Sequence, residues 1–299
     1  MNGFAPTVIM CLKKRIHKPN YKQILTSLGN NNKLLYDPSF IFNNGVHSVF
    51  KEPQNTKIPI RERALLFFND IYGHDNIKET IYRALMKENR SIHIILVGPP
   101  STGKTIFLKI IMEKCNGVVF HNSAAGSTGA GLFIKMEANR QSRILCIDEV
   151  TETRSKRDNE ALRGVLDDGT FSKTTQAKMI DFQIKGLKVF MTTNNPSALS
   201  VPFKKRCQMI LIDKYTDEEF RSIFVFNLLR KGIIKNEELA NGIANAMLYY
   251  KIKNMRTALS IAMLINEDID TKDDIIRIIK SYIQNDASAI NINYNEVEI

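Results

Sequence analysis

A lysine followed by a threonine, with glycines at fixed distances ahead of them, is the most chemically pointed feature of this chain. Gly98-Pro99-Pro100-Ser101-Thr102-Gly103-Lys104-Thr105 fits the pattern G-x-x-x-x-G-K-[ST] at every position. Glycines at these places let a backbone curl until several N–H groups face one anion. A helix starting beside the lysine adds the positive end of its dipole. Lys104 would then reach the β- and γ-phosphates of a nucleotide, and the Thr105 hydroxyl would bind Mg²⁺. Such a loop needs a strand to launch it and a helix to receive it. Ile92 to Val97 is an apolar run rich in β-branched residues, and Ile106 to Lys114 is apolar and helical, with Asn116-Gly117 as its stop. The phosphate cradle is therefore read as Gly98 to Thr105 together with Ile106. The plain alternative is a Gly-Pro turn ahead of an ordinary helix, and the flanking strand and helix weigh against it.

Two further stretches could complete a hydrolytic site. Arg143 to Val150, RILCIDEV, is an apolar strand carrying Asp148 and Glu149 at the end where α/β sheets place their ligands. Asp148 can hold the Mg²⁺ hydration shell through a water or the Thr105 oxygen, and Glu149 can orient or deprotonate an attacking water. By itself an acidic pair after a strand is more often a solvated strand end; the upstream phosphate loop changes its meaning. Leu187 to Thr192 is another buried strand, running into Thr193-Asn194-Asn195-Pro196. Asn194 can hydrogen-bond the water or the γ-phosphate, or it can belong to an Asn-Asn-Pro turn.

The whole chain bounds these readings. Its 299 residues allow one large or two medium domains, and 43% apolar with 24% charged residues is ordinary globular composition. Cys11, Cys115, Cys146 and Cys207 are scattered, which argues for a reducing compartment without a disulfide framework or structural zinc. The net charge of +11 favours polyanions at the level of encounter and non-specific affinity. No apolar run approaches the roughly 20 residues of a membrane span, so no membrane partner and a cytoplasmic or nucleoid-associated location are expected.

Domain organisation follows from changes in pattern. Residues 1–59 form a basic segment with six cations and no acid between Met1 and Tyr36, interrupted by Asn-rich turns and prolines. It reads either as an arm against nucleic-acid phosphates or as a solvated tail. Residues 60–213 are the nucleotide-binding α/β core. Helices are expected at about Arg61 to Phe68 and from Asp75, as cap, to Met86. The Gly/Ser/Ala-rich stretch from His121 to Phe133 is expected to be a projecting loop or a linker, with a helix after it from Lys135 to Arg140. Phe171 to Thr174 and Met179 to Ile184 can pair as a hairpin. Residues 214–284 are wholly helical, opened by the capping-box pattern Thr216 to Glu219. A further helix is expected from Arg256 to Ile265. Residues 285–299 are an acidic tail.

Taken in order, GPPSTGKT, ILCIDEV, VFMTTNNP, KKRC and NMRTAL resemble the AAA+ ATPases over about residues 60–284. That resemblance implies an α/β P-loop NTPase core, a parallel β-sheet flanked by helices, followed by a small all-α lid domain. It implies ATP and Mg²⁺ as cofactors, with Ile71, Tyr72 and Gly73 flanking the adenine. It also implies Asn194 as the first sensor and Arg256 as the second, reaching the γ-phosphate from the lid. Arg206, in KKRC, looks like an arginine finger acting on a neighbouring subunit's nucleotide, although it also reads as a solvated cation before an edge strand. Within the family, the hairpin carrying Lys173 and Lys178, with the stretches GSTGAGL and ALRGVLDDGTFS, resembles the branch holding minichromosome-maintenance helicases and RuvB motors.

Three functions fit. The first is a DNA-associated ATPase that assembles as a homo-oligomeric ring or spiral, a hexamer among the options, and moves hairpins along DNA. The second is a protein-remodelling ATPase of the MoxR kind, with a protein partner. The third is a clamp-loader-like or initiator-like switch in which ATP binding does the work. No protease motif or nuclease carboxylate cluster is visible beside the ATPase motifs.

Overall fold

The computed structural model of the chain describes residues 58–122, 129–150, 156–174 and 179–285. The basic segment before them, the hairpin tip with Lys178, the Lys173 side chain and the acidic tail lie outside the described residues. Cα packing divides the chain into two units, Met1–Asp213 and Lys214–Ile299.

The first unit is built on five parallel strands: β1 (Ile92–Val97), β2 (Val118–Asn122), β3 (Ile144–Asp148), β6 (Lys188–Thr193) and β7 (Gln208–Leu211), in the order β2-β3-β6-β1-β7. Every described residue of β3 and β6 is buried. Strands covered on both faces lose the apolar–polar alternation and read as continuous apolar runs. Period-two geometry sends neighbouring side chains to opposite faces. Ile94 and Leu96 thus enter one core with Phe68, Leu85, Phe107 and Ile111, whereas Ile95 and Val97 enter another with Leu145, Ile147, Val165 and Met191.

Helices α1 (Ile60–Phe67), α2 (Asp75–Met86) and α3 (Lys104–Lys114) supply the first core. The cap of α2 falls one residue before the expected Asp75: His74 takes that position at φ 56°, and Asp75 is the first helical residue. The second core takes α4 (Gly129–Ala138), α5 (Lys156–Asp168) and the antiparallel hairpin of β4 (Thr170–Thr174) and β5 (Met179–Gln183). Here the structure corrects the sequence. The small-residue stretch is not a linker to its end, because a helix begins at Gly129 and buries Leu132, Phe133 and Met136. Phe133 meets Phe171 edge-on at 5.4 Å, and Phe171 stacks on Phe182 at 4.8 Å. Burial of three large side chains outweighs the poor helix propensity of the glycines. Two short turns, the 3₁₀ turn Pro196–Ala198 and α6 (Val201–Lys204), connect β6 to β7.

The second unit is all-α: α7 (Asp217–Arg230), α8 (Glu237–Tyr249), α9 (Met255–Ala262) and α10 (Lys272–Asn285). Thr216 and Glu219 close the expected capping box, and Asn236 and Asn254 cap α8 and α9. Phe220, Phe224, Leu228, Ile243, Met247, Ile261 and Ile279 form its core. Helix α9 ends at Ala262, short of the expected Ile265, and Met263 and Leu264 are exposed beyond it. Among the described residues no helix is long and apolar enough to cross a membrane.

Candidate nucleotide site

Strand β1 delivers the glycine loop at its C-terminal end. Gly98 N–H donates to the Thr193 carbonyl (3.3 Å), and a Cβ on Gly98 would stand 2.2 Å from the Ile212 carbonyl oxygen, so only glycine fits between the two neighbouring chain segments. Ser101 (φ 64°) and Gly103 (φ 85°) are both left-handed, and this alternation of backbone hand curls the loop into a concave nest ahead of α3. Lys104 is nearly fully buried and closes the nest from within. Its Nζ donates to the Gly98 carbonyl (2.8 Å), the Pro99 carbonyl (2.5 Å) and the Thr102 hydroxyl (3.4 Å). Burial lowers the Lys104 pKa, while the carboxylates of Glu149 and Asp148 act to raise it.

The facing strands β3 and β6 supply a connected set of oxygens. Thr105 Oγ1 donates to Asp148 Oδ1 (3.0 Å), and the same carboxylate oxygen accepts from Thr192 Oγ1 (2.6 Å). Thr192 Oγ1 in turn accepts from the Glu149 N–H (2.9 Å). Glu149 sits at φ 56°, a strained backbone for a non-glycine residue. Its carboxylate is gripped by Asn194, whose Nδ2 donates to Oε1 (2.9 Å) and Oε2 (2.8 Å). Asn194 Oδ1 is buried with no hydrogen-bond partner among the described residues, an acceptor still to be used. A hydroxyl and a carboxylate side by side are the hard oxygen donors that suit Mg²⁺, so Thr105 and Asp148 fit such an ion.

Sequence reasoning named every member of this network except Thr192. The only signal for it was a hydroxyl residue inside an otherwise apolar buried strand. Tyr72 and Gly73 lie in the turn between α1 and α2. That turn packs beside α3: Ile71 shares a core with Phe107, and the His74 ring lies 6.3 Å from the Phe107 ring. The turn is fastened by the buried Lys78, whose Nζ donates to the Ile71 carbonyl (2.6 Å). Arg206 is not part of the network. It follows α6, where Nε pairs with Asp167 and Nη1 donates to the Pro202 carbonyl (2.7 Å). Arg256 lies in the second unit, exposed in the first turn of α9.

A strand, a glycine nest closed by a lysine, and an Asp-Glu pair at the end of a parallel strand one place removed in the same sheet define a P-loop nucleoside-triphosphatase core. The particular family follows from comparison: residues 94–214 match the ATPase family associated with various cellular activities (AAA), so the chain carries an AAA+ ATPase domain. The family implies ATP as the nucleotide. Lon protease of Clostridium acetobutylicum is 23% identical over 278 residues, covering 83% of this chain and 35% of that protein. The Holliday junction branch migration complex subunit RuvB of Fervidobacterium nodosum is 26% identical over 188 residues, covering 60% and 54%. DNA replication licensing factor MCM5 of Arabidopsis thaliana is 25% identical over 240 residues, covering 72% and 31%. The chain thus spans between a third and about half of the length of these relatives. Among solved structures, the Holliday junction branch migration motor RuvB of Thermotoga maritima superposes with a TM-score of 0.52 at 19% identity, covering 70% of this chain and 69% of that one. The shared property there is the fold.

Proposed function

We propose that this chain is an ATP-hydrolysing subunit that works on DNA as part of a homo-oligomer. The observation that carries the hydrolytic reading is the continuous bond path from Thr105 through Asp148 and Thr192 to Glu149 and Asn194. The nest from Gly98 to Ile106 would hold the phosphates, with Lys104 turning from the loop carbonyls to the β- and γ-oxygens. Thr105 and Asp148 would hold Mg²⁺, which when bound neutralises charge building up on the phosphates. Glu149 would orient the attacking water and take its proton, and Asn194 would turn its unused Oδ1 to the same water or its Nδ2 to the γ-phosphate. The Glu149–Asn194 grip keeps that base occupied until a nucleotide competes for Asn194. Tyr72 and Gly73 would flank the adenine, Arg256 would reach the γ-phosphate from the helical unit, and Arg206 would complete a neighbouring subunit's site.

The DNA assignment rests on the named function of the RuvB and MCM5 relatives, on the β4–β5 hairpin of the core, and on the charge of +11. A second reading, action on polypeptide, is favoured by the Lon protease match, which covers 83% of the chain. The separating experiment measures ATPase rate with single-stranded DNA, duplex DNA and unfolded protein at two salt concentrations, with assembly mass determined in ATP. Stimulation by DNA that falls with salt, together with an oligomer in ATP, is the expected result. Stimulation by unfolded protein alone would replace DNA with polypeptide as substrate, and a monomer at full activity would remove the trans role of Arg206.

A further inference from the structure

The unexplained contact in the core unit is the one made by Arg206. Its guanidinium is held at two of three nitrogens, Nε by the Asp167 carboxylate and Nη1 by the Pro202 carbonyl four residues earlier. Nη2 has no partner among the described residues. Asp167 lies in the last turn of α5, where a carboxylate opposes the negative end of the helix dipole. A cation beside it relieves that cost, so the two charges are matched in place.

Asp167 itself is fixed on both sides. Leu166 before it is buried in the core that also holds Ile95 and Val97 of β1. Asp168 after it starts the hairpin: its Oδ1 accepts from Thr170 N–H (3.0 Å) and its carbonyl accepts from Gln183 Nε2 (3.1 Å). Gly169, at φ 79°, lets the Ile184 carbonyl approach to 2.1 Å from where a Cβ would be, and Ile184 N–H donates to the Gly169 carbonyl (3.0 Å). Two adjacent carboxylates thus face different tasks, one on the hairpin and one on the arginine.

We infer that Asp167 is a positioning residue for Arg206: by holding Nε while Pro202 holds Nη1, it presents Nη2 to the nucleotide of the neighbouring subunit and ties that presentation to the base of the β4–β5 hairpin. The inference rests on the proposed trans role of Arg206. Pre-orienting a guanidinium lowers the ordering cost of meeting a phosphate and acts mainly on the transition state. Loss of Asp167 therefore lowers kcat at the neighbour's site and leaves KM for ATP there unchanged.

The test uses full-length subunits mixed in pairs. A Glu149→Gln chain donates its Arg206 but cannot hydrolyse, and an Arg206→Ala chain has an intact nucleotide site but no arginine to donate. Mixing the two is expected to restore ATPase activity. Adding Asp167→Asn to the donor is expected to lower the restored kcat about tenfold with KM within twofold, and Asp167→Glu in the donor to recover at least half. The same substitution in the Arg206→Ala chain is expected to act at most twofold. A donor carrying Asp167→Asn that restores full activity overturns the inference, as does an equal loss from either chain, which marks a local folding effect. If the parent pair regains nothing on mixing, the trans role of Arg206 is itself wrong. That failure is visible before Asp167 is touched.

Discussion

Two buried lysines sit at opposite ends of the same sheet, and their environments differ in kind. Lys104 lies beyond the C-terminal end of β1 and Lys188 begins β6, paired in register with Ile92 and Ile144 at the starts of their strands. Both are almost inaccessible, at 5% and 1% exposure. Burial lowers both pKa values, and Lys188, with Arg143 adding to the effect, falls to about 8. His93, on β1, falls to about 4 for the same reason of burial. Ranked by perturbation alone, the wrong end of the sheet would be taken for the active one. Geometry separates them. Lys104 Nζ lies within the glycine loop, bonded to the Gly98 and Pro99 carbonyls, with Thr105 beside it on Asp148, whereas Lys188 is buried at the start of β6, where its N–H donates to the Arg143 carbonyl.

The widest gap between the two ends is expected in catalysis. Lys104→Ala is expected to lower ATP hydrolysis on the order of 10²–10³-fold, as removal of a preorganised charge from a transition state does. Lys188→Met, similar in volume, is expected to leave kcat within about twofold. Steady-state ATPase rates on folded protein, verified by circular dichroism, check both. A Lys188→Met chain that folds but fails to hydrolyse would break the contrast.

The same pair differs less in stability, but in a direction that pH reads. The folded Lys188 value of about 8 lies below its ordinary 10.5, so between these the unfolded chain binds more protons. Stability is therefore penalised in full below pH 8 and rises as pH climbs to 10.5, by at most about 3 kcal/mol. Urea midpoints of the native chain and Lys188→Met at pH 7.5 and 10 are expected to converge as pH rises. Parallel lines at the two pH values would show that Lys188 keeps its proton. His93 works at the acid side: its folded value near 4 lies below 6.5, so its contribution is complete above pH 6.5 and is lost as pH falls toward 4. His93→Gln should flatten that acid slope.

Much of this was legible because a P-loop compresses a three-dimensional site into eight consecutive residues. The strands were legible because parallel strands buried on both faces are unbroken apolar runs. Other parts were hidden. The start of helix α4, ahead of the expected Lys135, was obscured because Gly129, Ala130 and Gly131 carry no helical signal, and its stability comes from Leu132, Phe133 and Met136 meeting a hairpin some 40 residues later. The Arg206–Asp167 pair was hidden because nothing local in KKRC points to LDDG. Periodicity reports what a segment buries, not which distant segment it meets.

Thr192 belongs to the hidden class, and it offers the smallest and sharpest test of what distinguishes the two ends of the sheet. Fully buried in β6, it links Asp148 to the backbone of Glu149 through one hydroxyl. Thr192→Val keeps the shape and the β-branch but removes both bonds. The Glu149 N–H then loses its acceptor, at a cost of about 1–3 kcal/mol, and the left-handed Glu149 backbone loses the bond that fixes it. A base displaced by a fraction of an ångström loses alignment with its water, so kcat is expected to fall about tenfold. Lys104 and the loop are untouched, so KM for ATP stays within twofold. Thr192→Ser, which keeps the hydroxyl, is expected to retain most of the rate. A Thr192→Val chain hydrolysing at the native rate would mean that Glu149 is held by Asn194 alone.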